Sequence, residues 1–264
     1  MGFNISEVVN GRETCSPQRF FLYGVQGVGK TLCASTFKNP IVLRTEDGTA
    51  AIDVPTFPQV AKRYEDVLEA LTALHGEHNF ETLVVDSLDW MEPLVWRHVC
   101  ETNPDKDGNI PASIESFGFG KGYSMADPYW RHIQSGFDSL RFKKGMQIVL
   151  IAHTEIKTFN PPDSDGYDRY QPKLNKRAFA FWQEWADNVF FVNYDRRLVD
   201  MNGRRRAEGD GNRIIYTSER PAYLAKNRWG LPDEIYIGQD KTWRPLHDAL
   251  KKVMGDKYPY PFEK

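Results

Sequence analysis

The sequence predicts an α/β fold in which a mostly parallel central sheet carries helices on both faces. Three observations predict it. Four short apolar runs, at 19–23, 41–43, 82–86 and 147–152, have the length and flanks of fully buried parallel strands. Stretches of helical periodicity separate them, and strand–helix alternation is the pattern of a doubly wound sheet. A glycine-rich loop, Gly24-Val25-Gln26-Gly27-Val28-Gly29, joins the first run directly to a helix. The chain has 264 residues, 41% hydrophobic and 13% aromatic, enough to fill one core of this kind.

In order, residues 1–18 read as a lead-in and Arg19–Tyr23 as the first strand. The helix opening at Lys30 ends near Phe37, where Asn39-Pro40 breaks it. Ile41–Leu43 is a second strand, running into the polar corner Thr45-Glu46-Asp47-Gly48. A helix over 64–75 places Val67, Leu68, Leu71 and Leu74 on one stripe, and Gly76 closes it. Thr82–Asp86 is a third strand, followed by a helix over about 90–100 and a long irregular stretch to Pro128. A helix over 130–142 precedes the strand 147–152. Residues 156–175 read as a polar loop and 177–185 as a helix. Residues 189–225 read as a C-terminal β-ribbon turning at Asn202-Gly203, and a helix over 245–254 comes last. One domain spans 1–264, with a core at about 18–235 and two long loops that carry function.

Composition removes some classes. A net charge of −2 announces no nucleic-acid partner through a global field, so such a partner needs a local patch. Cys15, Cys33 and Cys100 have no paired spacing, which fits a reduced, cytoplasmic compartment. No apolar run approaches the length of a membrane span, and no signal peptide is expected. The start Met1-Gly2-Phe3-Asn4-Ile5-Ser6 fits the loose myristoylation pattern, with nothing else pointing to a membrane.

The chemistry begins at Gly24–Thr31, which has the spacing G-x-x-x-x-G-K-S/T of a P-loop between a strand and a helix. Its glycines let the backbone turn N–H groups toward phosphate oxygens, with Val25, Gln26, Val28 and Leu32 completing the cradle. Lys30 reaches the β- and γ-phosphates of ATP, and Thr31 holds Mg2+ through its hydroxyl. Asp86, at the carboxyl end of its strand, is the second Mg2+ anchor. Ser87 follows it where a base often stands, so Glu46 on the same rim is the candidate to orient the attacking water. A solvated loop acid is the alternative reading of Glu46. His153, at the tip of the strand 147–152, is either a sensor of the γ-phosphate or a structural histidine.

These motifs stand in the order of the RecA/RadA recombinase core, which the chain resembles over roughly 18–235. Lys226-Asn227-Arg228-Trp229-Gly230 resembles the Lys-Asn-Arg-Phe-Gly motif of bacterial RadA, and Lys176-Arg177-Ala178-Phe179 resembles the segment closing the second DNA-binding loop of RecA. The compact form is similar to the phage-encoded minimal RecA-like annealing proteins of the Sak-four class. Neither the zinc module and protease-like tail of RadA nor the C-terminal domain of RecA has a counterpart, and His153 stands where a glutamine is usual. The resemblance implies an ATP hydrolase of RecA-like fold that binds single-stranded DNA as a homo-oligomer, ring or filament. ATP would lie between subunits, with Lys226 and Arg228 acting in trans, a single-strand-binding protein as a possible partner, and the host cytoplasm as the location if the gene is phage-borne.

Sequence-tolerant strand binding needs cations in a groove and aromatic faces for bases. Two loops offer both. The first carries Phe117, Phe119, Lys121 and Tyr123 among glycines; the second carries Lys157, Phe159, Tyr167, Arg169, Tyr170, Lys173, Lys176 and Arg177. Arg196, Arg197, Arg204, Arg205, Arg206 and Arg213 form an auxiliary basic cluster. Competing readings are a motor or loader ATPase on duplex DNA or a helicase, and a P-loop nucleotide kinase. A GTPase is disfavoured because no Asn-Lys-x-Asp motif occurs.

Overall fold

The computed structural model describes residues 5, 8, 16–49, 51–201, 204–209, 211–238 and 242–262. In chain order these form β1 (Arg19–Gly24), α1 (Lys30–Ser35), β2 (Pro40–Arg44), α2 (Tyr64–Ala73), β3 (Thr82–Asp86) and α3 (Leu88–Thr102). A 3₁₀ turn (Ile114–Phe117) and the short α4 (Lys121–Met125) lead into α5 (Asp127–Lys144). Then come β4 (Gln147–Phe159), β5 (Tyr167–Pro172), α6 (Lys176–Trp185) and β6 (Asn188–Tyr194). The chain continues through β7 (Arg197–Met201), β8 (Arg204–Glu208), β9 (Arg213–Tyr216), β10 (Lys226–Asn227), β11 (Glu234–Ile237) and α7 (Arg244–Met254).

Five strands run parallel in the order β6-β1-β4-β3-β2, and β9 and β11 extend the β6 side as antiparallel strands. Side chains alternate across the central strands, so each strand feeds two cores. Phe21, Tyr23, Leu83, Val85, Ile148, Leu150, Val189 and Phe191 pack with α2, α3, α5 and α6. Phe20, Leu22, Val42, Val84, Val149, Ile151, Phe190 and Val192 pack with α1 and α7 on the other face. Coverage of both faces is why these strands are unbroken apolar runs instead of alternating ones. Val84, Phe190 and Phe20 are fully buried.

Three readings of the sequence change here. The polar loop expected over 156–175 is an antiparallel hairpin: β4 runs on past His153, and Thr154–Phe159 pair with Tyr167–Pro172. The β-branched and aromatic residues of Thr154-Glu155-Ile156-Lys157-Thr158-Phe159 favour that extended backbone. The glycine-bearing first loop, part of the irregular stretch expected up to Pro128, is folded into the 3₁₀ turn and α4. Gly122 is required there, because a Cβ would lie 2.1 Å from the Ile114 carbonyl oxygen. Residues 189–194, read as ribbon, belong instead to β6, the fifth parallel strand beside β1. β7 and β8 pair with each other as a separate two-stranded sheet, and the expected turn Asn202-Gly203 lies outside the described residues.

Candidate nucleotide site

The loop after β1 is shaped by its glycines and by braces from distant elements. At Gly24 a Cβ would lie 2.1 Å from the Val192 carbonyl oxygen, so only glycine lets β1 and β6 approach this closely. Gly27 and Gly29 adopt φ of 75° and 98°, a left-handed region that side chains disfavour. Tyr194 of β6 donates its hydroxyl to the Gly27 carbonyl at 3.0 Å, and Arg213 of β9 donates Nε to the Val28 carbonyl at 2.8 Å. Trp243 lies beneath Gly29, 3.1 Å from where a Cβ would stand. Tyr194 and Arg213 were not legible as loop braces, since both are far away in sequence. Arg213, grouped with the basic cluster in the sequence, is buried and its guanidinium packs over the Tyr194 ring.

Lys30, nearly buried, folds its ammonium onto the loop's own carbonyls, with Nζ 3.0 Å from Gly24 O and 3.1 Å from Val25 O. Burial lowers its pKa, opposed by the carboxylates of Asp86, Asp89 and Glu46. Val28 is buried, Gln26 is exposed, and Val25 and Leu32 are half-buried on the second core. Thr31 donates its hydroxyl to Asp86 Oδ2 at 2.8 Å. This pair fits Mg2+: hard oxygen donors, one carboxylate and one hydroxyl beside a phosphate cradle, which suits an ion that keeps water and phosphate oxygens as its other ligands. No cluster of three or more His, Cys, Asp or Glu side chains able to hold a metal occurs among the described residues. Asp86 is buried, and burial raises its pKa against the lowering effect of the Thr31 hydrogen bond and Lys30. Bound Mg·ATP would supply the triphosphate, and these residues would position it.

The expected base and sensor share this rim. Thr45 N donates to the Asp86 carbonyl at 2.8 Å, and Ser87 N donates to Thr45 Oγ1 at 2.8 Å, which ties the β2 exit to the β3 exit. The Asp86–Ser87 peptide is cis. Ser87 Oγ donates to Glu46 Oε1 at 3.0 Å, and His153 Nδ1 lies 3.8 Å from the same oxygen. Burial raises the Glu46 pKa, partly offset by His153 and Ser87, which moves the carboxylate toward general-base use nearer neutral pH. His153 pairs in register with Gly24, at the entrance of the phosphate loop.

Sequence reasoning missed Asp89, in the first turn of α3. Its Oδ1 accepts from His153 N at 2.9 Å and its Oδ2 meets His153 Nδ1 at 2.9 Å. Burial alone would raise the Asp89 pKa, but the bonds from His153 hold it below the ordinary carboxylate value. The same bond raises the pKa of His153 against the lowering effect of burial. The one available signal was position: an acid three residues after Asp86, just inside a helix start.

The residues expected to meet DNA divide into exposed and engaged groups. Phe119 is fully exposed at φ 47°, and Lys121 is exposed at the start of α4. Tyr123 packs edge-on against Trp96 and donates its hydroxyl to Glu115. On the hairpin, Lys157, Phe159, Tyr167 and Arg169 share one face through the pairs Lys157–Arg169 and Phe159–Tyr167. Lys157 pairs with Glu155 at 2.7 Å, and the Arg169 guanidinium stacks 3.8 Å over the Phe159 ring. Tyr170 faces the other way, its ring stacked on Phe191 at 5.0 Å. Lys173 and Lys176 are exposed, and Arg177 pairs with Asp127 at the start of α5, joining the two loop regions.

Lys226 and Arg228 lie elsewhere. β10 pairs with Asn188 and Val189, the amino end of β6, whereas the phosphate loop neighbours its carboxyl end at Val192. Lys226 Nζ donates to the carbonyls of Gln183, Glu184 and Ala186 at the end of α6, and Arg228 pairs with Asp187 at 3.1 Å.

A family model described as an AAA domain matches residues 16–229, which includes every strand of the parallel sheet and the groups above except Trp243. Over 190 residues the chain is 26% identical to the SPbeta prophage-derived uncharacterized protein YorG of Bacillus subtilis (strain 168), covering 67% of this chain and 53% of that protein. The chain thus spans about half the length of that relative. No helix among the described residues is long and apolar enough to cross a membrane.

Proposed function

The chain belongs to the AAA-domain family, and from that premise we propose that this ATPase binds single-stranded DNA and promotes annealing or recombination as a homo-oligomer. In this reading it is a RecA-like protein of the Sak-four kind, encoded by a phage and working in the host cytoplasm with Mg·ATP. The similarity to a prophage-derived protein supports the phage origin. The observation that carries the reading is continuity: β4 bears His153 beside the phosphate loop and runs unbroken into a hairpin whose one face holds Lys157, Phe159, Tyr167 and Arg169. Cations and rings at that place suit the backbone and bases of an unpaired strand, and their link to His153 gives ATP a grip on them. Phe119 and Lys121 extend the surface, and the oligomer decides whether Lys226 and Arg228 reach a neighbouring site.

ATP turnover measured against oligonucleotide concentration tests this. Single strands should stimulate hydrolysis and duplex should not, and binding should weaken steeply with salt, log K falling by about 0.7 per neutralised phosphate per log unit of salt. Replacing Phe119, Lys121 and Lys157 together should weaken strand binding and leave nucleotide affinity unchanged. Membership of the AAA-domain family favours one second reading, a loader or motor ATPase on duplex DNA or a helicase; stimulation by duplex alone would select it.

A further inference from the structure

Asp89 and His153 meet through two hydrogen bonds that use both carboxylate oxygens on one residue. Oδ1 takes the backbone N–H of His153 and Oδ2 takes Nδ1, each at 2.9 Å. The first bond fixes the Cα of His153 relative to α3, and the second fixes the rotation of its ring. Because an ionised carboxylate only accepts, Nδ1 must carry the proton. The ring's other nitrogen, Nε2, then points away from Asp89, at a residue in register with the first glycine of the phosphate loop. The post that carries Asp89 is itself held. Glu92, three residues on and so on the same side of α3, accepts the N–H of Asn175 with both oxygens, at 3.1 and 3.0 Å. Lys173 N also donates to the His153 carbonyl at 2.9 Å.

We propose that Asp89 is a positioning residue for ATP hydrolysis, locking His153 in the Nδ1–H form so that Nε2 is presented as an acceptor to the water that attacks the γ-phosphate. The inference rests on ATP occupying the phosphate loop and is independent of DNA. An aspartate is required because both partners are donors. Asparagine has one acceptor oxygen, and its NH2 group would face either the backbone N–H or the ring. Facing the ring, it would force the opposite tautomer, with the proton on Nε2, the error that disables a catalytic histidine elsewhere.

Two measurements on the full chain test the proposal. In 15N-histidine spectra, the signal that disappears in His153→Gln identifies His153; the wild-type protein should show Nδ1–H, and Asp89→Asn should convert it to Nε2–H. In steady-state kinetics, Asp89→Asn should lower kcat roughly tenfold or more with KM for ATP within about twofold, as expected of a group whose partner acts at the transition state. A wild-type His153 whose neutral ring carries its proton on Nε2 and not on Nδ1, or an Asp89→Asn protein with unchanged kcat, overturns the proposal. If the variant does not fold, the wild-type spectrum alone decides. A chain with no ATP turnover, in which Lys30→Ala changes nothing, refutes the nucleotide site instead, while the tautomer measurement still reads the Asp89–His153 geometry.

Discussion

Thr31 Oγ1 stands 2.8 Å from Asp86 Oδ2, although Thr31 sits on α1 after β1, Asp86 ends β3, and the whole of β4 lies between those strands. The relationship exists because the phosphate loop swings α1 over the carboxyl edge, where β3 delivers Asp86. These two oxygens would hold the Mg2+ of bound Mg·ATP, which sets the first expectation. Lys30→Ala should abolish ATP turnover, and Asp86→Asn should raise the Mg2+ concentration for half-maximal turnover. Asparagine keeps the hydrogen bond to Thr31 and loses the charge. A Mg2+ titration unchanged by Asp86→Asn would move the cation elsewhere.

Glu46→Gln should bind ATP normally and hydrolyse it roughly 10²–10⁴-fold more slowly, the range typical of a positioned general base. The base acts as carboxylate, and its pKa is raised by burial. Wild-type kcat should therefore fall as pH drops, with the midpoint above that of an exposed glutamate, and the residual rate of Glu46→Gln should lack this limb. Matching pH profiles for the two proteins would remove Glu46 from the mechanism.

His247 should govern acid stability. It is buried on α7, 2.8 Å from Thr36 Oγ1, and burial lowers its pKa from 6.5 to about 3. The unfolded chain therefore binds a proton that the folded chain refuses between those values. Stability should fall as pH drops from about 6.5 toward 3, by up to about 1.4 kcal/mol per pH unit from this group. Comparing denaturant unfolding of wild type and His247→Asn isolates the effect, because the variant should lose this slope and keep those of the carboxylates.

Lys226→Ala should cost about 1–3 kcal/mol of stability, since it strips the carbonyls ending α6 of a cationic donor. If the residue also acts on a neighbour's nucleotide, turnover should fall in the assembled protein beyond any loss of folded material. Chemical denaturation beside ATPase assays at matched folded fraction separates the two roles.

The gathering of the candidate site residues on one rim was readable from the sequence. Gly24–Thr31, Asp86, Glu46 and His153 converge on one rim because each follows a strand of the same parallel sheet, and strand ends of one direction share an edge. What resisted reading was anything resting on distant pairing. Tyr194, Arg213 and Trp243 brace the loop from 165 or more residues away, a closeness no local pattern encodes. The hairpin at 154–172 was hidden by its charges, because edge strands that face water carry no apolar alternation.

By itself, then, the sequence determined the phosphate-loop motif and which residues end the central strands, since spacing within a loop and the residue ending a strand are local properties. Tertiary structure alone decided that Asp89 grips His153, that Arg213 is a buried brace, and that Lys226 caps α6 at the far rim. Those roles depend on which strands become neighbours, and neighbours are chosen by burying both faces of the sheet, a property of the whole chain.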